Sequence, residues 1–310
     1  MCDHAYKMNW KKKRKGELFM RLFMIIGLVA TLFLGSIATL NHVSSKELVN
    51  IPKQEHIEML YPTVLVRVGN GSGSGTVIYS KLDENEKYES FVLTNWHVIK
   101  GSVILKNEWN PEKKERIDSE TRRPVNVDLW EYNNYSTSVG TIGRIAKIIA
   151  YDKGRDLALL QIEDTERQMP YVATLYPEGV DEGPWIFQTV YAVGAGMGKP
   201  PFPTTGLLAG YSRDQDGRAL YLASAPIIFG NSGGSLYVYS SRDKFELIGV
   251  PSMVSAYGWG NVITHMGWSR PISEIRIFLR DNKYGFILGD EREVEEKEED
   301  NNKVETPDEE

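Results

Sequence analysis

From Thr63 onward the chain breaks into short runs rich in Val, Ile, Leu and Tyr, each closed by glycine, asparagine or proline. TVLVRV (63–68), GTVIY (75–79), SFVLTN (90–95), VNVDLW (125–130) and IAKIIAY (145–151) are followed by LALLQI (157–162), TVYAVG (189–194), ALYLAS (219–224), SLYVYS (235–240) and LIGVPSMV (247–254). Runs of four to eight such residues between turn signals read as β-strands. No strand–helix–strand rhythm interrupts them, and only ISEIRIFLRDN (272–282) spaces its apolar residues as a helix does, through Ile272, Ile275, Ile277 and Phe278. An all-β body of one or two barrels or sandwiches is predicted. The charged stretch from Asn107 to Pro124 reads as strand-poor, a surface insertion.

Charge is spread unevenly along the 310 residues. The net charge is −6, but residues 1–21 carry +5 and residues 290–310 carry −9, which leaves −2 on the middle. A nearly neutral body argues against nucleic-acid binding, which calls for a basic face. The acidic end, bounded at 286–310 and almost without apolar residues over 290–310, reads as a disordered, solvating tail. The only cysteine is Cys2. An intrachain disulfide and a cysteine metal cluster are therefore excluded, and the fold must hold by its own core.

KKKRK (11–15) precedes LFMIIGLVATLFLGSIATL (22–40), nineteen residues without a charge. As a helix rising about 1.5 Å per residue this run spans about 28 Å, close to the hydrocarbon thickness of a bilayer. The basic cluster places residues 1–21 in the cytoplasm and everything after 41 outside. The preferred reading is an uncleaved signal anchor in the cell membrane, followed by a linker over 41–56. The small residues around Ser36 and Ala38 keep a cleaved signal peptide, and hence secretion, as the alternative. A buried core helix fits poorly, because the run is apolar on every face and flanked by lysines.

Three residues carry the chemistry. His97 ends the strand-like run FVLTNWHVI (91–99), where a turn should begin. Asp156 opens a strongly apolar strand, where a carboxylate can be held dry and accept a histidine Nδ1–H. It could equally make an Asx turn there. Ser232 sits in IFGNSGGSL (228–236), among Gly230, Gly233 and Gly234. A nucleophilic serine needs such freedom, because backbone N–H groups must meet the tetrahedral oxyanion within about 3 Å. The N–H groups of Gly230 and Ser232 are the natural pair for this oxyanion hole. Each signal alone has a plain structural explanation; the ordered set TNWHV, DLALL, GNSGG does not.

With GSGSGTVI (71–78), VLTNWHVI (92–99), RDLALLQI (155–162), VYAVGAG (190–196), TTGLLAG (204–210), GNSGGSL (230–236), LIGV (247–250) and GWSRPIS (267–273) in this order, residues 57–281 resemble the trypsin-like serine peptidases of the chymotrypsin fold, above all their HtrA/Deg branch. The resemblance implies two six-stranded β-barrels and a C-terminal helix within a protease domain of 57–285, with His97 and Asp156 on the first barrel and Ser232 on the second. It implies a serine endopeptidase that hydrolyses polypeptide substrates through an acyl-enzyme, with His97 as general base, Asp156 as its orienting partner and Ser232 as nucleophile. No metal or cofactor is required. Many relatives form trimers, so a homo-oligomer is an option, although no residue marks an interface.

The departures from the family pattern carry information too. Asn231 stands where many secreted relatives have the aspartate that pairs with a freed N-terminal amine, so activation by that route is not expected. Relatives of the HtrA/Deg branch continue into PDZ modules, and none is expected in the acidic residues after the last helix. Ser235 replaces a proline common after GNSGG. The segments APIIF (225–229) and PSMVS (251–255) should line the specificity pocket and hold no acid. A pocket formed by Ile227 and Met253 suits aliphatic side chains rather than Lys or Arg. Two alternatives remain at this level. One is a catalytically inactive, protease-like scaffold at the membrane. The other is an ester hydrolase on the same machinery.

Overall fold

The computed structural model describes residues 53–292 apart from 134, 180–182 and 259. The expected membrane helix at 22–40 and the acidic residues from 293 lie outside the described residues. Among the described residues no helix is long and apolar enough to cross a membrane.

The strands form two antiparallel barrels. The first is built from β1 (Thr63–Val68), β2 (Gly71–Leu82), β3 (Tyr88–Thr94), β6 (Val125–Asn133), β7 (Thr137–Asp152) and β8 (Leu157–Ile162). It closes in the order β1-β2-β3-β8-β7-β6. The second contains β10 (Thr189–Gly194), β11 (Phe202–Arg213), β12 (Ala219–Ala223), β13 (Ser235–Tyr239), β14 (Phe245–Tyr257) and β15 (Asn261–Pro271). Its order is β13-β10-β11-β12-β15-β14, and β14 pairs back onto β13 to close it. A two-residue strand, β9 (Thr174–Leu175), runs parallel to the start of β14. The expected double barrel of six strands each is therefore present.

The charged stretch after Asn107 departs from expectation. It is not strand-poor: β4 (Val103–Asn110) and β5 (Glu115–Arg122) pair as a two-stranded hairpin outside both barrels. It shows no hydrophobic alternation because most of its residues are exposed.

Alternation inside β3 and β8 explains why both are so apolar. Successive strand residues point to opposite faces. Val92, Ala158, Leu160 and Ile162 fill the first barrel. Phe91, Leu93, Leu157 and Leu159 point the other way, into a second core shared with Val190, Leu236, Val250 and the final helix. That helix, α1 (Ile272–Asp281), contributes Ile272, Ile275, Phe278 and Leu279 to the shared core. One apolar core thus joins the strands behind the histidine and aspartate to those behind the serine.

Candidate active site

Strand register brings His97 and Asp156 together. β3 and β8 are antiparallel neighbours with Thr94 opposite Ala158. His97 follows Thr94 by three residues and Asp156 precedes Ala158 by two, so both leave the same end of the strand pair. After Asn95 the chain enters a helical turn, Trp96–Ile99. Trp96 anchors this turn by stacking on Tyr151, with ring centroids 4.3 Å apart.

Asp156 holds His97 at two points. Its Oδ1 accepts the backbone N–H of His97 at 2.9 Å, and its Oδ2 lies 2.8 Å from Nδ1. A carboxylate at Nδ1 keeps the proton on that nitrogen and leaves the Nε2 lone pair free. The His97 side chain is 38% exposed and that of Asp156 19%, so the far edge of the ring remains open to a substrate. Asp156 itself has φ +54°. Left-handed backbone at a non-glycine residue costs of order 1–3 kcal/mol and persists only where its surroundings enforce it. Part of that enforcement comes from Asn95, fully buried, whose Nδ2 donates to the Asp156 carbonyl at 2.7 Å and to Ser252 Oγ at 2.8 Å.

The serine turn is pressed onto the first barrel. Gly233 has φ +84°, and a Cβ there would lie 2.2 Å from the Ser74 carbonyl oxygen and 2.3 Å from Thr94 Oγ1. Only glycine fits between the serine and the strand end that carries His97. Ser74, fully buried, bolts this contact. Its N–H donates to the Ser232 carbonyl at 2.7 Å and its Oγ–H to the Gly230 carbonyl at 2.6 Å. The same Oγ accepts the Ala195 N–H at 2.7 Å. Ser235, at the position where proline is common, adds a second bolt through its Oγ, 2.6 Å from Thr76 Oγ1. Asn231, 1% exposed, turns its Oδ1 to the Ile228 N–H at 3.1 Å and so closes the turn without an ion pair.

The two expected oxyanion donors are unengaged. Among the described residues neither the Gly230 N–H nor the Ser232 N–H donates a hydrogen bond. The Phe229 carbonyl accepts the Met197 N–H at 2.7 Å, and the Asn231 carbonyl accepts the Gly234 N–H at 2.9 Å. In a planar trans peptide N–H and C=O point oppositely, so these bonds aim both free donors away from Met197 and Gly234. Ser232 Oγ takes part in no hydrogen bond among the described residues, and none links it to the imidazole.

Ile227 and Met253 differ in setting. Ile227 is 6% exposed, and a Cβ on Gly267 would lie 2.8 Å from its Cδ1. Its side chain therefore covers Gly267. Met253 is 44% exposed. Ser252, beside it, faces Asn95 instead. Ser74, Asn95 and Ser252 are the site residues that sequence reasoning left without a role. The dense glycines of GSGSG were the available signal for Ser74, since a Cβ on Gly73 would come within 3.1 Å of the Ser232 carbonyl oxygen.

A polar cluster lies behind the loop that carries Asp156. Burial opposes ionisation of Asp152, but the Arg155 backbone N–H and guanidinium outweigh it and hold the carboxyl below the ordinary aspartate value. Burial likewise opposes ionisation of Asp214, and hydrogen bonds from the Arg270 side chain and the Arg218 N–H lower it in the same way.

Two closed six-stranded barrels, with a histidine–aspartate pair on one and a glycine-framed serine on the other, define the class of chymotrypsin-like serine peptidases. A family model described as a trypsin-like peptidase domain matches residues 73–250, and the chain belongs to that family. No curated protein gives a significant match to the chain. Among solved structures, it is similar to the HtrA-type protease AlgW with tripeptide, at 18% identity and a TM-score of 0.51 over 76% of this chain. A serine-to-alanine variant of AlgW, also with tripeptide, aligns at 17% identity and the same TM-score of 0.51. This chain spans 64% of the length of those two. At such identity the likeness shows a shared fold.

Proposed function

We propose that the protein is a membrane-anchored serine endopeptidase in which His97, Asp156 and Ser232 form the catalytic triad. The observation that carries this reading is the two-point grip of Asp156 on His97 beside a serine turn bolted to the same strand ends. The Nε2 of His97 takes the proton from Ser232 Oγ as that oxygen attacks the scissile carbonyl. The N–H groups of Gly230 and Ser232 receive the oxyanion. The resulting imidazolium, stabilised by Asp156, then donates its proton to the leaving amine, which leaves an ester on Ser232. Water repeats the sequence and frees the enzyme.

The substrate is an extended polypeptide, consistent with the tripeptide named for AlgW. Ile227 shortens the specificity pocket by covering Gly267, and no acid lies in 225–229 or 251–255. Small aliphatic side chains suit such a pocket better than Lys or Arg. The apolar run 22–40 after KKKRK supports a single-pass anchor with the barrels on the outer side. That position would give the enzyme exposed or misfolded chain segments to process. The test uses the full chain in membranes. Casein cleavage that persists in Ser232→Ala would refute the triad, and release of the protein by alkaline carbonate would refute the anchor.

One observation favours an inactive scaffold instead: no hydrogen bond joins Ser232 Oγ to His97. Catalytic hydrogen bonds are often long without substrate and tighten in the Michaelis complex, so a peptide-aldehyde titration separates the two readings. A triad enzyme forms a hemiacetal at Ser232; a scaffold does not.

A further inference from the structure

The loop from Asp152 to Asp156 belongs to the first barrel, yet it is fastened from the second. Arg155, next to Asp156, donates Nε to Glu274 Oε2 of α1 at 3.0 Å and Nη1 to Asp152 Oδ2 at 2.6 Å. Its backbone N–H donates to Asp152 Oδ1 at 2.8 Å. Glu274 is 6% exposed, and its other oxygen, Oε1, accepts the Ala219 N–H from the start of β12 at 2.8 Å. Arg270 of β15, 4% exposed, donates Nη2 to the Gly154 carbonyl at 3.2 Å and to Asp214 Oδ2 at 2.7 Å. The Arg218 guanidinium lies against Gly154, with Nη2 2.3 Å from where a Cβ would stand.

Buried ion pairs are poor devices for stability, because apolar side chains of similar volume often serve as well or better. What this cluster supplies is geometry. Asp156 holds a left-handed backbone conformation that its surroundings must enforce, and the residue before it is tied to a buried carboxylate of α1 that is itself bonded to β12 of the opposite barrel. We propose that Arg155 and Glu274 are a positioning pair that holds Asp156 against His97 Nδ1. The proposal rests on the triad reading above. Neither residue touches substrate or the reacting atoms. Without the pair, Asp156 relaxes away from the imidazole while Ser74 and the oxyanion donors stay in place.

The test compares Glu274→Gln, Arg155→Gln and the double variant in the full chain, by kcat and KM on a peptide amide. Displacements of about 1 Å at a catalytic group cost up to about 10²-fold, and the expected loss in kcat is about tenfold or more with KM within about twofold. The double variant is no worse than the poorer single one, since the two residues act as a unit. It also leaves neither charge buried alone, so it carries the test if a single variant fails to fold. Wild-type kcat in the double variant overturns the proposal. So does a rate that falls only in proportion to the folded fraction. Asp156→Asn runs alongside. Full activity there would sink the triad itself, whereas an inactive Asp156→Asn beside a normal double variant would sink only the positioning role.

Discussion

The N–H of Met197 donates to the carbonyl of Phe229 at 2.7 Å, and this bond fixes which way the Gly230 N–H points. Met197 reaches it from a left-handed conformation, φ 54° and ψ 28°, on a loop of the second barrel. The N–H proposed as an oxyanion donor is thereby oriented before any substrate arrives, which is what makes such a donor effective. Gly230 has φ +97°, and a Cβ on it would lie 2.5 Å from the Met197 nitrogen. Gly230→Ala should break this arrangement and lower kcat by about 10²–10³-fold, the scale of losing one oxyanion donor. Steady-state kinetics on a peptide amide check it; a loss below tenfold would remove Gly230 from the hole.

Ser74→Ala should weaken both activity and stability. The substitution strands the buried Ala195 N–H and the partly buried Gly230 carbonyl. Stability should drop by about 1–3 kcal/mol, the desolvation cost of unsatisfied buried groups. Urea unfolding reads the stability and kcat reads the serine turn. Unchanged values for both would mean that Ser74 only fills space.

Ile227→Ala should change specificity. Removing the side chain that covers Gly267 should deepen the proposed specificity pocket, so substrates with larger apolar residues before the cleaved bond should gain on those with alanine. The ratio of their kcat/KM values should shift by about tenfold or more, since each methylene accommodated is worth about 1–3 kcal/mol. Peptide amides ending in Ala, Val, Leu and Phe measure it. The variant will also be less stable, because Ile227 belongs to the shared core.

Acid should loosen the cluster behind Asp156. Asp152 and Asp214 both titrate below the ordinary aspartate value in the folded protein. A group with a depressed folded pKa contributes stability that is present above its unfolded pKa, near 3.9, and is lost as pH falls through the folded one. Urea midpoints should therefore be flat in this respect above about pH 5 and fall below about pH 4. Asp214→Asn should lower the plateau and flatten that fall. An equally steep acid fall in Asp214→Asn would show that other carboxylates carry it.

Much of this was legible in the sequence, for reasons visible in particular strands. β1, β8 and β10 coincide with TVLVRV, LALLQI and TVYAVG, because each is short, apolar and bounded by turn residues. β4 and β5 escaped notice because strands exposed on both faces carry no hydrophobic period. β11 was hidden by its own glycines and proline. Gly206 must be glycine there, since a Cβ would lie 2.2 Å from the Ala225 nitrogen, and in sequence it reads only as a break. β9, two residues long, offers no pattern at all. At the site, the order of His97, Asp156 and Ser232 was readable because each sits in a short distinctive phrase. Ser74, Arg155 and Glu274 were not, because their contacts join residues more than a hundred positions apart and depend on how the two barrels meet.

The proposed reaction requires Ser232 to be a nucleophile activated by His97. The most direct measurement treats the full-length protein with a fluorophosphonate and locates the adduct by peptide mass, with Ser232→Ala and His97→Ala alongside. One adduct is expected, on Ser232, formed far more slowly in His97→Ala and absent in Ser232→Ala. A folded wild-type protein that takes no label, or takes it on another residue, would contradict that reaction.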